Sequence, residues 1–117
     1  MGAVKEKNYA GIDLGTTYCC IALYTPGGKP LVEKNLDGVE DMPSVIHFDG
    51  SGNIIVGTGG KEKLPLHPEN TASFFKSWMG KDRDFVFNRK HYSASDLSAM
   101  LLTKLIQDVS RVSGLEI

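Results

Sequence analysis

Two β-rich runs, Tyr9-Ala10-Gly11-Ile12-Asp13-Leu14 and Tyr18 to Thr25, are separated only by Gly15-Thr16-Thr17. So short a link cannot return the chain to the starting end of a sheet, and a parallel neighbour needs a crossover of a dozen or more residues to do so. The two runs must therefore pair antiparallel. After Pro26-Gly27-Gly28, the run Leu31-Val32-Glu33-Lys34-Asn35-Leu36 has the composition of a third strand, so residues 9–36 predict a three-stranded meander.

Asp37 to Ser44 is loop in composition. Val45-Ile46-His47-Phe48 and Asn53-Ile54-Ile55-Val56 then flank Asp49-Gly50-Ser51-Gly52, a turn-rich link that predicts a hairpin. Lys61 to Leu66 predicts a short helix stopped by Pro65 and Pro68, and Thr71 to Met79 a second one ended by Gly80. The strongest helical signal comes last. Ser93 and Asp96 stand at capping-box spacing, and Leu97, Leu101, Leu105, Val109 and Val112 recur at helical intervals before Gly114. They predict a helix over 94–113 with Lys104, Gln107, Asp108 and Arg111 on the opposite, polar face. Leu115-Glu116-Ile117 begins a further element.

With 117 residues, 41% of them apolar, the chain has room for one core, and its net charge of −1 offers nucleic acid or an anionic membrane no electrostatic footprint. No apolar stretch approaches the roughly 18 residues of a membrane span, and Met1 to Ala10 has no apolar signal core, so a cytoplasmic location is expected. Met1-Gly2 is not a myristoylation signal, because Glu6 stands where Ser or Thr is required. Cys19 and Cys20 are adjacent, which excludes a disulfide between separated segments and a spaced zinc site and predicts reduced thiols on opposite faces of a strand. His47 in a strand, with His67 and His91 in loops, fits no metal-ligand pattern, and Phe74, Phe75 and Trp78 are expected to form a small core.

The sharpest chemical feature is the string Gly11-Ile12-Asp13-Leu14-Gly15-Thr16-Thr17-Tyr18. A turn rich in glycine and hydroxyls gathers backbone N–H groups at one point, where they can cradle phosphate oxygens. Asp13 beside it is placed to accept hydrogen bonds from the waters of a hydrated Mg²⁺, an ion that keeps several waters and favours carboxylate and phosphate surroundings. The same residues also describe a plain hairpin, with Asp13 capping the turn and the threonines making side-chain turns, and composition alone favours that reading.

The string resembles the first phosphate-binding motif of the actin-like ATPase superfamily, and Gly-Thr-Thr-Tyr in particular is similar to the seventy-kilodalton heat-shock chaperones of the DnaK type. Further segments agree in one collinear order over about residues 9 to 113. Pro43-Ser44-Val45-Ile46 resembles that family's Pro-Ser before a strand, and Asn53 to Gly57 its strand ending in Val-Gly. Pro68-Glu69-Asn70-Thr71 followed by Lys76 and Gly80 resembles its Pro-x-Asn-Thr segment with an active-site lysine, and Tyr92-Ser93 with Leu97 to Leu105 the helix that follows.

The resemblance implies roles and a fold. Gly15, Thr16, Thr17 and Tyr18 would line the β- and γ-phosphates of ATP or ADP, Asp13 would sit by the magnesium water shell, and Lys76 would stand near the γ-phosphate and the attacking water. A lysine there would stabilise the transferring phosphoryl group. On its own residues Lys76 reads as a solvated lysine, and only the upstream Asn-Thr spacing raises it. The fold implied is α/β, part of a ribonuclease H-like, actin-like ATPase lobe: meander and long helix over 9–36 and 93–117, with a small α+β subdomain inserted over 37–92. The family's later strand, second phosphate loop, adenosine pocket and peptide-binding domain are not in this sequence. The chain therefore reads as an N-terminal fragment, nearly inactive alone, of a Mg-dependent ATPase whose partners are unfolded polypeptides and co-chaperones. Its first strand would keep an open edge through which copies self-associate.

Departures from the family pattern are Ser77-Trp78-Met79 where an Arg and two aliphatic residues normally follow the lysine, and Glu40-Asp41-Met42 where a basic residue often precedes Pro-Ser. They point to a specialised bacterial paralogue. Two other functions share the string: a small-molecule kinase of the same superfamily, opposed by the Pro-Ser, Asn-Thr and Tyr-Ser segments, and a non-catalytic actin-like filament or interaction module, opposed by the retained Asp13 and Lys76.

Overall fold

The computed structural model describes residues 8–24, 28–114 and 117. The expected break at Pro26-Gly27 and the element begun by Leu115-Glu116 lie outside the described residues.

Strands β1 (Tyr9–Leu14) and β2 (Tyr18–Tyr24) pair antiparallel, with Leu14 opposite Cys19 and Asp13 opposite Cys20. Alternation sorts their side chains: Cys19, Ile21 and Leu23 are buried with Ala10, Ile12 and Leu14 beside them, while Asp13, Tyr18 and Tyr24 stand on the outer face. The two thiols do fall on opposite faces and are free. The third strand is shorter than its composition predicts. β3 is only Leu31–Val32, because the buried Asn35 amide oxygen accepts from the backbone N–H groups of Asp37 and Val39 and folds the chain back. The supposed loop at 37–44 supplies β4 (Met42–Pro43), which shares the β2 edge with β3 by pairing Met42 with Cys19 and Pro43 with Tyr18. The meander is thus joined by a fourth strand.

The hairpin at 45–56 forms as β5 (Val45–Phe48) and β6 (Ile54–Val56). Asp49 closes its turn by accepting from Ser51 and Asn53. The expected helix at Thr71 to Met79 is absent. Thr71–Ser73 is instead β7, on the other edge of β5, and Phe74 at φ 55° then throws the chain into a short 3₁₀ turn, Phe75–Trp78. His47 explains the strand: its Nδ1 lies 3.0 Å from the Thr71 hydroxyl, which itself donates to the His67 carbonyl, so the imidazole must donate and is spent on joining β5 to β7.

The first helix, α1, is Thr58–Lys63 rather than Lys61 to Leu66. Its early start depends on Gly60, where a Cβ would meet the carbonyl oxygens of Ile55 at 2.8 Å and Val45 at 3.0 Å, so only glycine lets the helix lie against the hairpin. A further hairpin, β8 (Phe85–Phe87) and β9 (Lys90–Tyr92), turns through Asn88 and Arg89, both at positive φ. His91 therefore belongs to a strand, not a loop, and is paired with Asp84.

The long helix α2 spans Ala94–Ser113, with Ser93 and Asp96 forming the reciprocal capping box and Gly114 the left-handed C-cap. Leu97, Leu101, Leu105 and Val109 are buried against the inner face of β1 and β2, where Met42, Ile46, Phe48 and Phe75 complete the core. Two residues of the helix depart from the expected faces. Val112 is 51% exposed, and Asp108 is buried, accepting from the Leu36 backbone N–H and from Lys104, whose ammonium also reaches Asp37. A buried carboxylate needs such donors. Among the described residues no helix is long and apolar enough to cross a membrane.

Candidate functional site

The site is built on the turn between β1 and β2. At Gly15 a Cβ would lie 2.1 Å from the Tyr18 carbonyl oxygen, a distance no side chain survives, so the turn closes only around glycine. Ser44 buckles the turn from outside: its hydroxyl donates to the Gly15 carbonyl at 2.9 Å and its backbone N–H to the Thr17 carbonyl at 2.9 Å. These carbonyl oxygens, which would repel an anion, are thereby occupied. Thr16 and Thr17 remain exposed. The Pro43-Ser44 segment thus has a local purpose, since β4 delivers Ser44 to the turn by pairing with the start of β2.

Asp13 is exposed on the outer face, at the last-but-one position of β1. Tyr18 and Cys20 lie on the same face of β2, so Asp13 and Tyr18 are diagonal neighbours beside the turn. The charge of Asp13 is felt locally: burial chiefly, then Asp13, pushes the Cys20 thiol above its ordinary pKa. Burial also pushes the Cys19 thiol up, and that thiol points at the Met42 carbonyl, as a core cysteine does.

Lys76 is exposed, in the 3₁₀ turn that follows β7. Phe75, only 1% exposed, anchors that turn in the core. Ser73 at the end of β7 pairs with Val45, the neighbour of Ser44, so the segment carrying Lys76 departs from beside the residue that buckles the Gly15 turn. The structure therefore gathers Asp13, Gly15, Thr16, Thr17 and Tyr18 around one turn and ties the Lys76 segment to it through Ser44, Val45 and Ser73. Phe74, Phe75 and Trp78 do not form a common core. Only Phe75 is buried, and Trp78 stacks under the Arg83 guanidinium, 4.5 Å from its ring centroid, with Phe85 on that cation too.

One residue, placed by the sequence only in a short helix, was not singled out as part of the site. Lys61 on α1 donates to the Tyr18 hydroxyl at 2.7 Å, with its ammonium 4.9 Å from the ring centroid. No local signal marks it, because its partner is distant in sequence. Among the described residues no group of three or more His, Cys, Asp or Glu side chains could hold a metal by itself. A single exposed carboxylate fits a hydrated magnesium ion better than any ion that needs a protein cage. An open groove of about 480 Å³ between β6 and α2, lined by Val56, Met100, Lys104 and Asp108 among others, contains none of the site residues.

Residues 9–88 match the model of the family described as Hsp70 protein. Chaperone protein DnaK of Thermotoga neapolitana is 39% identical over 115 residues, covering 98% of this chain and 19% of that protein. The Thermotoga maritima protein of the same name is likewise 39% identical over 115 residues, and that of Thermosipho melanesiensis is 37% identical over 113. This chain spans 19% of the length of these curated relatives. Because one family's model takes in the Gly15 turn, its Ser44 buckle and the Lys76 segment together, the chain belongs to the Hsp70 family.

Proposed function

We propose that this chain is part of the nucleotide-binding module of a chaperone ATPase, one lobe of an actin-like ATPase fold, and that the Gly15 turn receives the β- and γ-phosphates of ATP. The observation that carries this reading is the turn itself: closed by a glycine that admits no Cβ, with the Gly15 and Thr17 carbonyls held by Ser44 and a carboxylate beside it. Backbone N–H groups of Thr16, Thr17 and Tyr18 are the donors for phosphate oxygens. Asp13 would hold the water shell of a magnesium ion, which when bound neutralises phosphate charge. Lys76 adds a positive charge from the 3₁₀ turn toward the transferring group. The rest of the protein supplies the other half of the phosphate clamp and the surfaces for unfolded polypeptides and co-chaperones, so this chain alone turns over little ATP.

The test is phosphate release from Mg-ATP by the full-length protein, with and without an unfolded peptide, in wild type and Lys76→Ala. Slow hydrolysis that rises with peptide and falls at least about a hundredfold in the variant supports the reading, on the scale of a lost charge-stabilising group. Consumption of ATP only with a small hydroxyl-bearing metabolite would replace it with a kinase, and no turnover under any condition would overturn it.

A further inference from the structure

A cation that the phosphate-turn reading leaves unused stands against that turn. Lys61 belongs to α1, which Gly60 seats flat on the carbonyl oxygens of Ile55 and Val45, so the base of the lysine is fixed by backbone packing. An exposed lysine ordinarily spends its long side chain in solvent, and a single surface contact contributes little. Here the ammonium is committed to one partner: it donates to the Tyr18 hydroxyl at 2.7 Å, at the hydroxyl end of that ring. Tyr18 is the residue at which the chain leaves the Gly15 turn, it is 42% exposed, and it shares the outer face with Asp13.

The geometry points to Lys61 as a positioning residue of the polyphosphate site, holding the Tyr18 phenol in one orientation at the exit of the turn and fixing a positive charge there. The inference rests on the proposed ATP reading. Two physical effects follow. A phenol oxygen that accepts from an ammonium donates its own O–H more strongly, which suits a phosphate oxygen as acceptor. The ammonium retains further donors, so it raises the local affinity for an anion without touching the reacting group. Lys61 therefore governs nucleotide affinity, whereas Lys76 governs the chemical step.

Mg-ATP affinity and turnover are measured on the full-length protein for wild type, Lys61→Met, Lys61→Arg, Tyr18→Phe and the Lys61→Met/Tyr18→Phe pair, with melting temperatures alongside. Lys61→Met is expected to weaken affinity about three- to tenfold and raise KM while kcat stays within about twofold, the scale of one charged hydrogen bond. Lys61→Arg restores most of the affinity, and the pair loses no more than the worse single variant. Tyr18→Phe removes the same hydrogen bond from the other side and keeps the test decisive if Lys61→Met does not fold. Wild-type affinity in Lys61→Met, or losses in the pair equal to the product of the single losses, overturns the inference and leaves the ATP reading standing. Failure of the wild type to bind Mg-ATP overturns both.

Discussion

A methyl group added at Gly15 would sit 2.1 Å from the Tyr18 carbonyl oxygen, which is backbone and cannot step aside, so Gly15→Ala must spread β1 and β2 where the turn leaves the sheet. The variant is expected to lose about 2–3 kcal/mol of stability, read as a lower urea midpoint, and to lose Mg-ATP binding in the full-length protein. A wild-type midpoint would show that the turn is not closed as described. The thiols make a second prediction. Burial raises Cys19, and burial with the Asp13 charge raises Cys20, so the folded state prefers both in the neutral form. That preference is fully present below the ordinary thiol pKa of roughly 8.5 and is lost as pH rises through the higher folded values. The urea midpoint is therefore expected to hold near neutral pH and to fall above that range, less steeply in Cys19→Ala. A midpoint that climbs with pH there contradicts it.

At the scale of elements, α2 is the spine. Leu101 is 1% exposed at the middle of its buried stripe, and Leu101→Ala is expected to cost about 3 kcal/mol by chemical denaturation. Ser93→Ala, which removes half of the capping box, is expected to cost about 1 kcal/mol. This helix was legible because its signals are local: a cap, a period and a terminal glycine all act within a few residues of one another. Asp108 on the same helix was misplaced because its partners, the Leu36 N–H and the Lys104–Asp37 bridge, include a distant segment that no helical wheel reveals. The short strands failed for the same reason. Met42–Pro43 and Thr71–Ser73 are strands only because β2 and β5 offer edges to them, and the Phe74 turn that ends β7 comes from tertiary packing of Phe75. The candidate site divides likewise: Asp13 and the Gly15 turn are contiguous and readable, whereas Lys61 reaches Tyr18 from another element.

For the molecule as a whole, the three sheets and α2 share one core, yet β1 is paired on one side only, with β2, among the described residues. A strand edge with unpaired backbone groups recruits another strand. This chain on its own is expected to show concentration-dependent association in sedimentation, and a monomer at every concentration would contradict that. Trp78 offers a different kind of access. It is the single tryptophan of the sequence, 37% exposed, and it sits in the same 3₁₀ turn as Lys76 with the Arg83 guanidinium against its ring. Indole emission responds to nearby charge and to water, so a shift of this turn changes the fluorescence of this chain. The chain carries its own optical reporter next to the residue proposed to act on the phosphoryl group, and no dye need be attached to follow it.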